Sequence, residues 1–301
     1  MRHPPRRAAA ALLAAALVAL SAHAGGALAP DAAAAPSAPR ELLGKMGDAV
    51  ARLQDYTMLL VKQEYFLDDA KLEPEEHLLF KWARPYRVYF RNVQGANPGR
   101  EVIYVRGSNN DRIRVHKGSF PDVNLNLDPH GAWATDGTHH PIDESSLVDL
   151  VRLIAGSAAD AEKAGEGSVR VLGPQEVDGR PCDELELTSP RTGAVHVMDK
   201  GETLWDVSHA SGRSMYAILQ ANRARGWTGP ADPKRGAEVF VPRYYAGRLD
   251  VCVDRELFLP LRMTAWDFDG NLYERYEHRD LKVNVGLTDA DFDPKNPVYR
   301  F

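Results

Sequence analysis

The fold of this 301-residue chain is decided by a stretch that begins TMLLVKQEYF at residues 57–66, continues EEHLLFKWA at 75–83 and reaches YRVYFRN at 86–92. In each run the hydropathy varies with a period close to two residues, which is typical of β-strands. Turn-forming residues such as Asp68 and Asp69 separate the runs. The stretch therefore predicts neighbouring antiparallel strands joined in a meander.

The pattern continues on both sides of this stretch. Helical spacing of apolar residues predicts one amphipathic helix from Leu42 to Leu53 and a second from Leu147 to Ile154, with Ser145 or Ser146 as its N-cap. The prediction is an α+β protein that is mainly antiparallel β. Further strands are predicted at 100–105, 112–116, 169–172, 182–188, 249–254, 261–268 and 272–281.

The N-terminus has the features of an export signal. Residues 1–24 combine a positive start at Arg2, Arg6 and Arg7 with a run of Ala, Leu and Val and small residues at the end. We expect cleavage after this segment, with an uncleaved anchor as the alternative. Residues 25–39 are rich in Ala and Pro and predict a flexible linker. No segment after residue 24 is apolar enough to span a bilayer, so we predict an exported protein of the periplasm or cell envelope.

Composition and charge exclude several classes of protein. With 44% hydrophobic and 26% charged residues, the chain has the composition of a globular protein. Loss of residues 1–24 removes three of the 37 basic residues and none of the 42 acidic ones, so the exported protein is acidic. An acidic protein lacks the basic surface that neutralises phosphates, and we expect no nucleic-acid partner.

A different pattern occupies residues 195–242, between two strand-like runs. It predicts the order strand, helix, helix, strand, with Thr203 as the N-cap of the first helix and Asp206 three residues later. Ser214 is predicted to cap the second helix. Asn222 at the end of that helix tolerates the left-handed conformation and can bond backbone groups. We interpret this segment as a small βααβ domain inserted into a β-hairpin.

This segment resembles the LysM domain. Departures from the usual LysM pattern occur at His196, Met198 and Ser208, and the loop between Arg223 and Lys234 is longer than usual. The resemblance rests on Gly201-Glu202-Thr203-Leu204-Trp205, Asn222, Gly236 and Val241-Pro242, which follow in LysM order and spacing.

LysM domains bind glycans that contain N-acetylglucosamine, such as peptidoglycan. The resemblance implies that the groove lies between two loops of the segment, and the alternative is that these loops only hold the small fold together. The residues implied are Gly201, Glu202, Thr203 and Leu204 on one side and Asp232, Pro233, Lys234 and Arg235 on the other.

The flanking parts, at about residues 40–190 and 243–301, resemble a family of exported bacterial proteins of unknown function with a fold like that of LolA and LolB, the periplasmic carriers of lipoproteins. We assign 40–194 and 243–301 to one discontinuous domain. The resemblance implies a curved antiparallel half-barrel with helices over its concave face. Such a cup is expected to bind a lipid or lipidated partner, or else to hold only a packed core. The motifs are clearest at Leu259-Pro260-Leu261, 281–288 and Phe292-Asp293-Pro294.

The two cysteines lie on the strands that bracket the inserted segment. If these strands pair, Cys182 and Cys252 come within disulfide range, and export permits their oxidation. The alternative is two buried thiols. A disulfide is expected to fasten the hairpin at the base of the insert.

Recognised catalytic motifs are missing from the sequence. His130, Asp136, His139 and His140 share one loop, but they lack the helical His spacing of a zinc site, so we predict a structural or surface role for them. We predict no catalytic residue, no metal site and no cofactor. The predicted function is a non-enzymatic envelope protein whose partners are peptidoglycan strands and a lipid or lipoprotein. The alternatives are an envelope hydrolase targeted by its LysM-like segment and a purely structural envelope protein.

Overall fold

A computed structural model describes residues 39–67 and 70–301. The predicted signal peptide at 1–24 and most of the predicted linker at 25–39 lie outside these ranges. Pro39, predicted as the last residue of the linker, is the first residue of a helix. Within the described ranges, no helix is both long enough and apolar enough to cross a membrane.

The described residues form one large sheet and one small sheet, and every strand pairing in them is antiparallel. The large sheet runs in the order β7-β6-β5-β4-β3-β1-β14-β13-β12-β9-β8, with β2 added beside β1, and the small sheet pairs β10 with β11. The strands are β1 (Asp55–Phe66), β2 (Lys71–Leu72), β3 (Glu76–Ala83), β4 (Arg87–Gln94), β5 (Glu101–Val105), β6 (Ile113–His116), β7 (Asn124–Leu127), β8 (Ser168–Val177), β9 (Arg180–Thr188), β10 (Gly193–Val197), β11 (Glu238–Pro242), β12 (Arg248–Asp254), β13 (Pro260–Trp266) and β14 (Leu272–Val283).

Helices are few in comparison with strands. They are α1 (Pro39–Arg52), α2 (Ala132–Thr135), α3 (Leu147–Ala164), α4 (Leu204–Ser211) and α5 (Met215–Ala221). The prediction of a mainly antiparallel α+β fold is confirmed. The sequence analysis missed β2, β7 and α2, because each has at most four residues and none has a clear run of apolar residues.

One face of the large sheet packs around α1 and α3. Tyr56 on β1 belongs to a buried cluster with Leu42 of α1 and Ile154 of α3. The same cluster includes Ile113 of β6 and Val177 of β8, near opposite edges of the sheet. Because strands near both edges contact one core, the sheet wraps around the two helices, and this inner face is called the concave face below.

Local capping fixes where α3 begins and ends. The Ser146 side chain accepts from the backbone N–H of Asp149, and the Asp149 carboxylate accepts from the N–H of Ser146. Such reciprocal bonds satisfy donors that a helix start leaves unpaired. Of the two residues predicted as the N-cap, Ser146 therefore has the role. Gly165 ends the helix in the left-handed conformation that glycine tolerates best.

The C-terminal segment covers the outer face of β3 to β5. Phe292 is buried against Tyr89 and Ile103, and the ring of Tyr299 stacks on that of Tyr89 with centroids 4.1 Å apart. Lys81 Nζ bonds Asp291 Oδ1 at 2.9 Å. The residues after β14 thus shield part of the sheet that would otherwise expose apolar surface.

Between β9 and β12 the chain forms a βααβ module, defined here as β10, α4, α5 and β11 (residues 193–242). Thr203 and Asp206 form the reciprocal cap predicted for α4, and Ser214 caps α5. Asn222 ends α5 with a φ of −106°, so it does not use the left-handed conformation that asparagine tolerates. Its predicted bonding to the backbone is present, because Nδ2 donates to the carbonyl of Ile218 and Oδ1 accepts from the N–H of Phe240.

The module docks against the rest of the fold through buried contacts. Ala217 of α5 belongs to the main core, while Ile218 belongs to the module's own core. Gln220 Nε2 donates to Asp267 Oδ2 at 2.9 Å, and Arg213 pairs with Asp160 of α3 at 2.7 Å. The module therefore packs on the cup rather than being joined to it by the chain alone.

Cys182 and Cys252 form a disulfide with their Cα atoms 5.5 Å apart. The expectation that it fastens the base of the module is wrong. The register of β9 and β12 pairs Thr188 with Arg248 at the end next to the module, whereas Cys182 lies opposite Asp254 at the other end. The disulfide therefore ties the end of the strand pair that is distant from the module.

Candidate functional site: a cavity between the sheet and the module

A cavity of about 560 Å³ lies among β1, β14, α3 and the module. Met58 and Leu60 of β1 and His278 of β14 supply the wall on the concave face, while His209 of α4 and Ala217 of α5 contribute from the module. The alternating direction of side chains along a strand explains why even-numbered residues of β1 and β14 face this space.

Much of the cavity wall is apolar. Leu147, Leu150 and Leu153 of α3 face Leu60 across the cavity. A smaller cavity of about 100 Å³ adjoins the first and shares Leu60 and His140 in its wall. The smaller cavity reaches under the meander, where it is lined by Leu78, Phe80, Phe90, Val102, Ile113 and Leu127.

Beside the cavity, two carboxylates face each other on paired strands. The register places Glu64 of β1 directly opposite Glu274 of β14, and the two residues are 2% and 0% exposed. Like charges opposite each other destabilise a sheet, and burial adds a large desolvation cost for each charge. Neighbouring cations and donors must therefore stabilise the pair.

A lysine and two tyrosines supply part of that stabilisation. Lys62 Nζ lies 2.7 Å from Glu64 Oε2, and the Tyr245 hydroxyl donates to Glu274 Oε1 at 2.6 Å. The Tyr276 hydroxyl is within hydrogen-bond distance of both carboxylates. Although burial favours the neutral acid, Lys62 and the neighbouring histidines outweigh it, so the pKa values of Glu64 and Glu274 lie below their usual range.

His139 contacts the same groups. Its Nδ1 lies 2.9 Å from Glu274 Oε2, and its Nε2 lies 2.9 Å from the carbonyl oxygen of Tyr65. The backbone N–H of His139 also donates to Glu64 Oε1 at 3.1 Å. The buried network therefore surrounds two carboxylates with a lysine, two tyrosine hydroxyls and His139.

His140 and His278 line the cavity itself. His140 Nε2 lies 3.5 Å from Glu274 Oε1, and although burial opposes the charged ring, Glu274 raises the pKa of His140. His278 has the opposite character, because burial lowers its pKa to about 4 while its Nδ1 donates to the carbonyl of Pro260. The cavity wall thus includes one histidine whose pKa is raised and one that burial keeps neutral.

Sequence reasoning did not find this network, although part of the signal was present. Lys62 and Glu64 have the same parity as the core residues Tyr56 and Met58, which indicates inward-facing charges on β1. The pairing with Glu274 has no local signal, because it joins residues 210 positions apart. His139 and His140 belong to the network, whereas His130 lies beside the module.

The first predicted glycan loop is largely occupied by internal contacts. Glu202 accepts from the N–H of Asp199 at 2.8 Å and pairs with His196. Thr203 caps α4, and the Leu204 side chain is fully buried in the module core. Gly201 is exposed in a left-handed turn. A ligand at this loop therefore has access to the turn and its backbone rather than to the side chain of Leu204.

The second predicted glycan loop lies next to the first, since the N–H of Leu204 donates to the carbonyl of Pro230 at 2.8 Å. The Asp232 carboxylate accepts from the N–H groups of Thr228 and Gly229 and so fixes the loop. Pro233 is buried. The other two predicted residues, Lys234 and Arg235, are exposed.

A family model described as a protein of unknown function, DUF1571, matches residues 53–217 and 241–301. The chain belongs to the DUF1571 family. The match continues through β10 and α4, so the part that the DUF1571 model leaves uncovered, 218–240, is smaller than the predicted insert at 195–242. No curated protein matches the sequence significantly.

Several solved structures align with this DUF1571 chain at low similarity. The MucA/MucB complex from Pseudomonas aeruginosa aligns at a TM-score of 0.39 and 15% identity, over 85% of this chain and 60% of that one. The Mycobacterium tuberculosis lipoprotein LppX aligns at 0.41 and 12%, over 85% and 100% of the two chains. A LolA superfamily protein from Nitrosomonas europaea aligns at 0.32 and 10%, over 86% and 98%. The chain spans about three-fifths of the MucB chains that it matches.

Proposed function

We propose that this protein is a non-enzymatic protein of the bacterial periplasm or cell envelope that binds the acyl chain of a lipid or lipidated partner in its cup. The observation that carries the proposal is the cavity of about 560 Å³ between the concave face of the sheet, α3 and the module. Its volume lies within the roughly 300–1,000 Å³ of ordinary small-molecule sites.

The residues that line the cavity suit a ligand with an apolar chain and a polar headgroup. The leucines of α3 and Leu60 offer an apolar surface to an acyl chain, and burial keeps His278 neutral on the same wall. The smaller apolar cavity beside Leu60 extends this surface under the meander. Serines and Arg152 near the α3 side of the cavity are suited to a polar headgroup.

The buried carboxylates beside the cavity favour a binding function over an enzymatic one. Glu64 and Glu274 are buried and bonded to Lys62, His139 and the tyrosines, so their charges are already used within the protein. A general acid or base needs a proton that it can exchange with a bound substrate. The network is better suited to hold the cup in shape.

A fluorescent fatty acid tests the proposal. We expect 11-(dansylamino)undecanoic acid to bind the purified protein, and Gly156→Trp to weaken binding at least tenfold. Gly156 lines the cavity, and a Cβ there meets no atom within 4 Å, so the indole enters open space. Gly44→Trp on α1 is the matched control, because Gly44 is an exposed helical glycine with the same freedom.

The outcomes separate the alternatives. Loss of binding in Gly156→Trp alone supports the cup as the site, and native mass spectrometry of protein purified from cell envelopes then identifies the natural ligand. Absence of probe binding by the parent protein contradicts the proposal and favours a purely structural role. Hydrolysis of cell-wall sacculi or ester substrates by the parent favours the envelope hydrolase instead.

A second proposed function is glycan binding by the module, as the LysM resemblance implies. It is supported by the contact between the two implied loops, where the N–H of Leu204 meets the carbonyl of Pro230. Gly201, Lys234 and Arg235 are exposed around this contact. Backbone groups held in fixed loops are suited to hydrogen-bond the acetamide of N-acetylglucosamine.

Retention on purified peptidoglycan sacculi tests this second function. Asp232→Ala removes the carboxylate that fixes the second loop, so we expect its retention to fall at least fivefold. Asp199→Ala removes an exposed carboxylate of the same module outside the predicted groove and should be retained like the parent. Equal retention of both variants, or no retention of the parent, contradicts glycan binding at these loops.

A further inference from the structure

Three potential metal ligands converge where α4 meets the cup. They are His130 in the loop after β7, Glu144 at the end of the 3-10 helix Ile142–Glu144, and His209 on α4. One ligand atom from each of the three lies within 4.8 Å of the others. Two of the residues come from the cup and one comes from the module, so this cluster bridges the two parts of the fold.

Ring stacking holds the two imidazoles close together. The His130 ring stacks on Trp205 of α4 with centroids 4.6 Å apart and an interplanar angle of 17°. His209 lies four residues after Trp205, on the same face of the helix, and its ring centroid is 5.1 Å from that of His130. The stack therefore places a histidine of the module beside a histidine of the cup.

The ligand atoms have little else to bind. Within residues 39–67 and 70–301, no hydrogen bond or ion pair involves the side chains of Glu144 or His209, which are both exposed. His130 Nε2 lies 3.3 Å from Asp143 Oδ1, so these two atoms pair with each other, and Nδ1 is the ring nitrogen that is left for a metal ion.

A zinc-type divalent cation explains these features together. Two imidazoles and a carboxylate are a usual ligand set for Zn²⁺, with water in the fourth position. Tetrahedral ligands at about 2.1 Å from the metal are about 3.4 Å apart, so small rotations of the exposed Glu144 and His209 side chains would complete the geometry. Asp143 lies beside the His130 ring, where carboxylates commonly orient a metal-bound imidazole.

The other cluster of this type does not offer a free site. Glu64, His139 and Glu274 also have ligand atoms within 4.8 Å of one another. Their oxygens and nitrogens are already bonded to Lys62, Tyr245 and Tyr65, and the Lys62 ammonium lies 2.7 Å from Glu64. A metal ion would have to displace these partners and approach a fixed positive charge.

We propose that His130, Glu144 and His209 bind one Zn²⁺ ion that clamps α4 of the module to the cup. Glu144 and His209 also line the large cavity, so the ion would lie at its rim and hold that side in place. This site departs from the sequence prediction of no metal site. Zn²⁺ binding at this site does not require a ligand in the cavity, because the ion needs only the side chains of His130, Glu144 and His209.

Metal titration of the purified protein, without a polyhistidine tag, tests the site. We expect one equivalent of Zn²⁺ by calorimetry and a cobalt-substituted form with the visible absorption of a four-coordinate ion. His209→Ala and Glu144→Gln should each weaken Zn²⁺ binding at least tenfold. His196→Ala, which removes another histidine of the same module, should bind like the parent.

Thermal unfolding provides a second measurement, which reports stabilisation of the fold by Zn²⁺. Zn²⁺ should raise the thermal unfolding temperature of the parent and of His196→Ala, and should leave that of His209→Ala unchanged. Circular dichroism confirms that each variant is folded. No binding by the parent at 100 μM Zn²⁺, unchanged binding in His209→Ala or Glu144→Gln, or equal loss in His196→Ala would overturn the proposal.

Discussion

The buried imidazole of His278 makes the stability of this protein sensitive to mild acid. Burial lowers the pKa of His278 in the folded state to about 4, whereas a histidine in an unfolded chain has a pKa of about 6.5. Between pH 4 and pH 6.5, this histidine is protonated in the unfolded chain and neutral in the folded protein. The folded state therefore loses stability as the pH falls from about 6.5 towards 4.

The size of the loss follows from the two pKa values. A difference of about 2.5 pKa units corresponds to a limit of about 3.4 kcal/mol, of which about 2 kcal/mol is lost between pH 7 and pH 5. His140 acts in the opposite direction, because Glu274 raises its pKa in the folded state and a raised pKa stabilises the fold at lower pH. The contribution of His278 must therefore be isolated by substitution.

Urea unfolding at pH 7 and pH 5 measures the effect in the parent and in His278→Gln. Glutamine keeps an N–H donor for the carbonyl of Pro260 but does not titrate, so the variant should lose about 2 kcal/mol less than the parent between the two pH values. The reasoning is refuted if the parent and His278→Gln lose the same free energy.

Other perturbations test the disulfide, the buried network and the cavity helix. Replacing Cys182 and Cys252 by Ala should lower the free energy of unfolding by about 4 kcal/mol, because the bridge closes a loop with a sequence separation of 70; urea midpoints equal to the parent's would contradict this. Lys62→Met should cost about 3–5 kcal/mol by leaving the buried Glu64 carboxylate without its ammonium partner, and adding Glu64→Gln should recover most of that loss in the same assay. Gly156→Ala should raise the thermal unfolding temperature, because alanine stabilises α3 by about 0.5–1 kcal/mol and its Cβ meets no atom within 4 Å. A lower unfolding temperature would contradict the open space found beside Gly156.

Much of the fold could be predicted from the sequence because its causes are local. Alternating hydropathy predicted the strands of the meander, and helical spacing predicted α1 and α3. The caps at Ser146, Thr203 and Ser214 followed from short polar side chains before apolar turns. The pairing of Cys182 with Cys252 was also predicted, because both lie on strands that flank one segment.

Tertiary structure alone decided what these elements build. The register of β9 and β12 places the disulfide at the end distant from the module, which no spacing in the sequence indicates. The pairing of β1 with β14 brings Glu64 opposite Glu274 and encloses the cavity. The docking of α4 brings His209 beside His130.

There is a physical reason why some of these features could be predicted from the sequence and others could not. Periodicity and capping depend on residues within one or two turns or strand repeats of each other, so they can be read directly from the chain. Strand register and helix docking depend on contacts between residues that lie far apart in the chain, such as Glu64 and Glu274, which are 210 positions apart. Such contacts are selected by the packing of the whole core. The sequence by itself determined the elements, the caps and the cysteine pair, and the packed core decided the cavity and the charged network beside it.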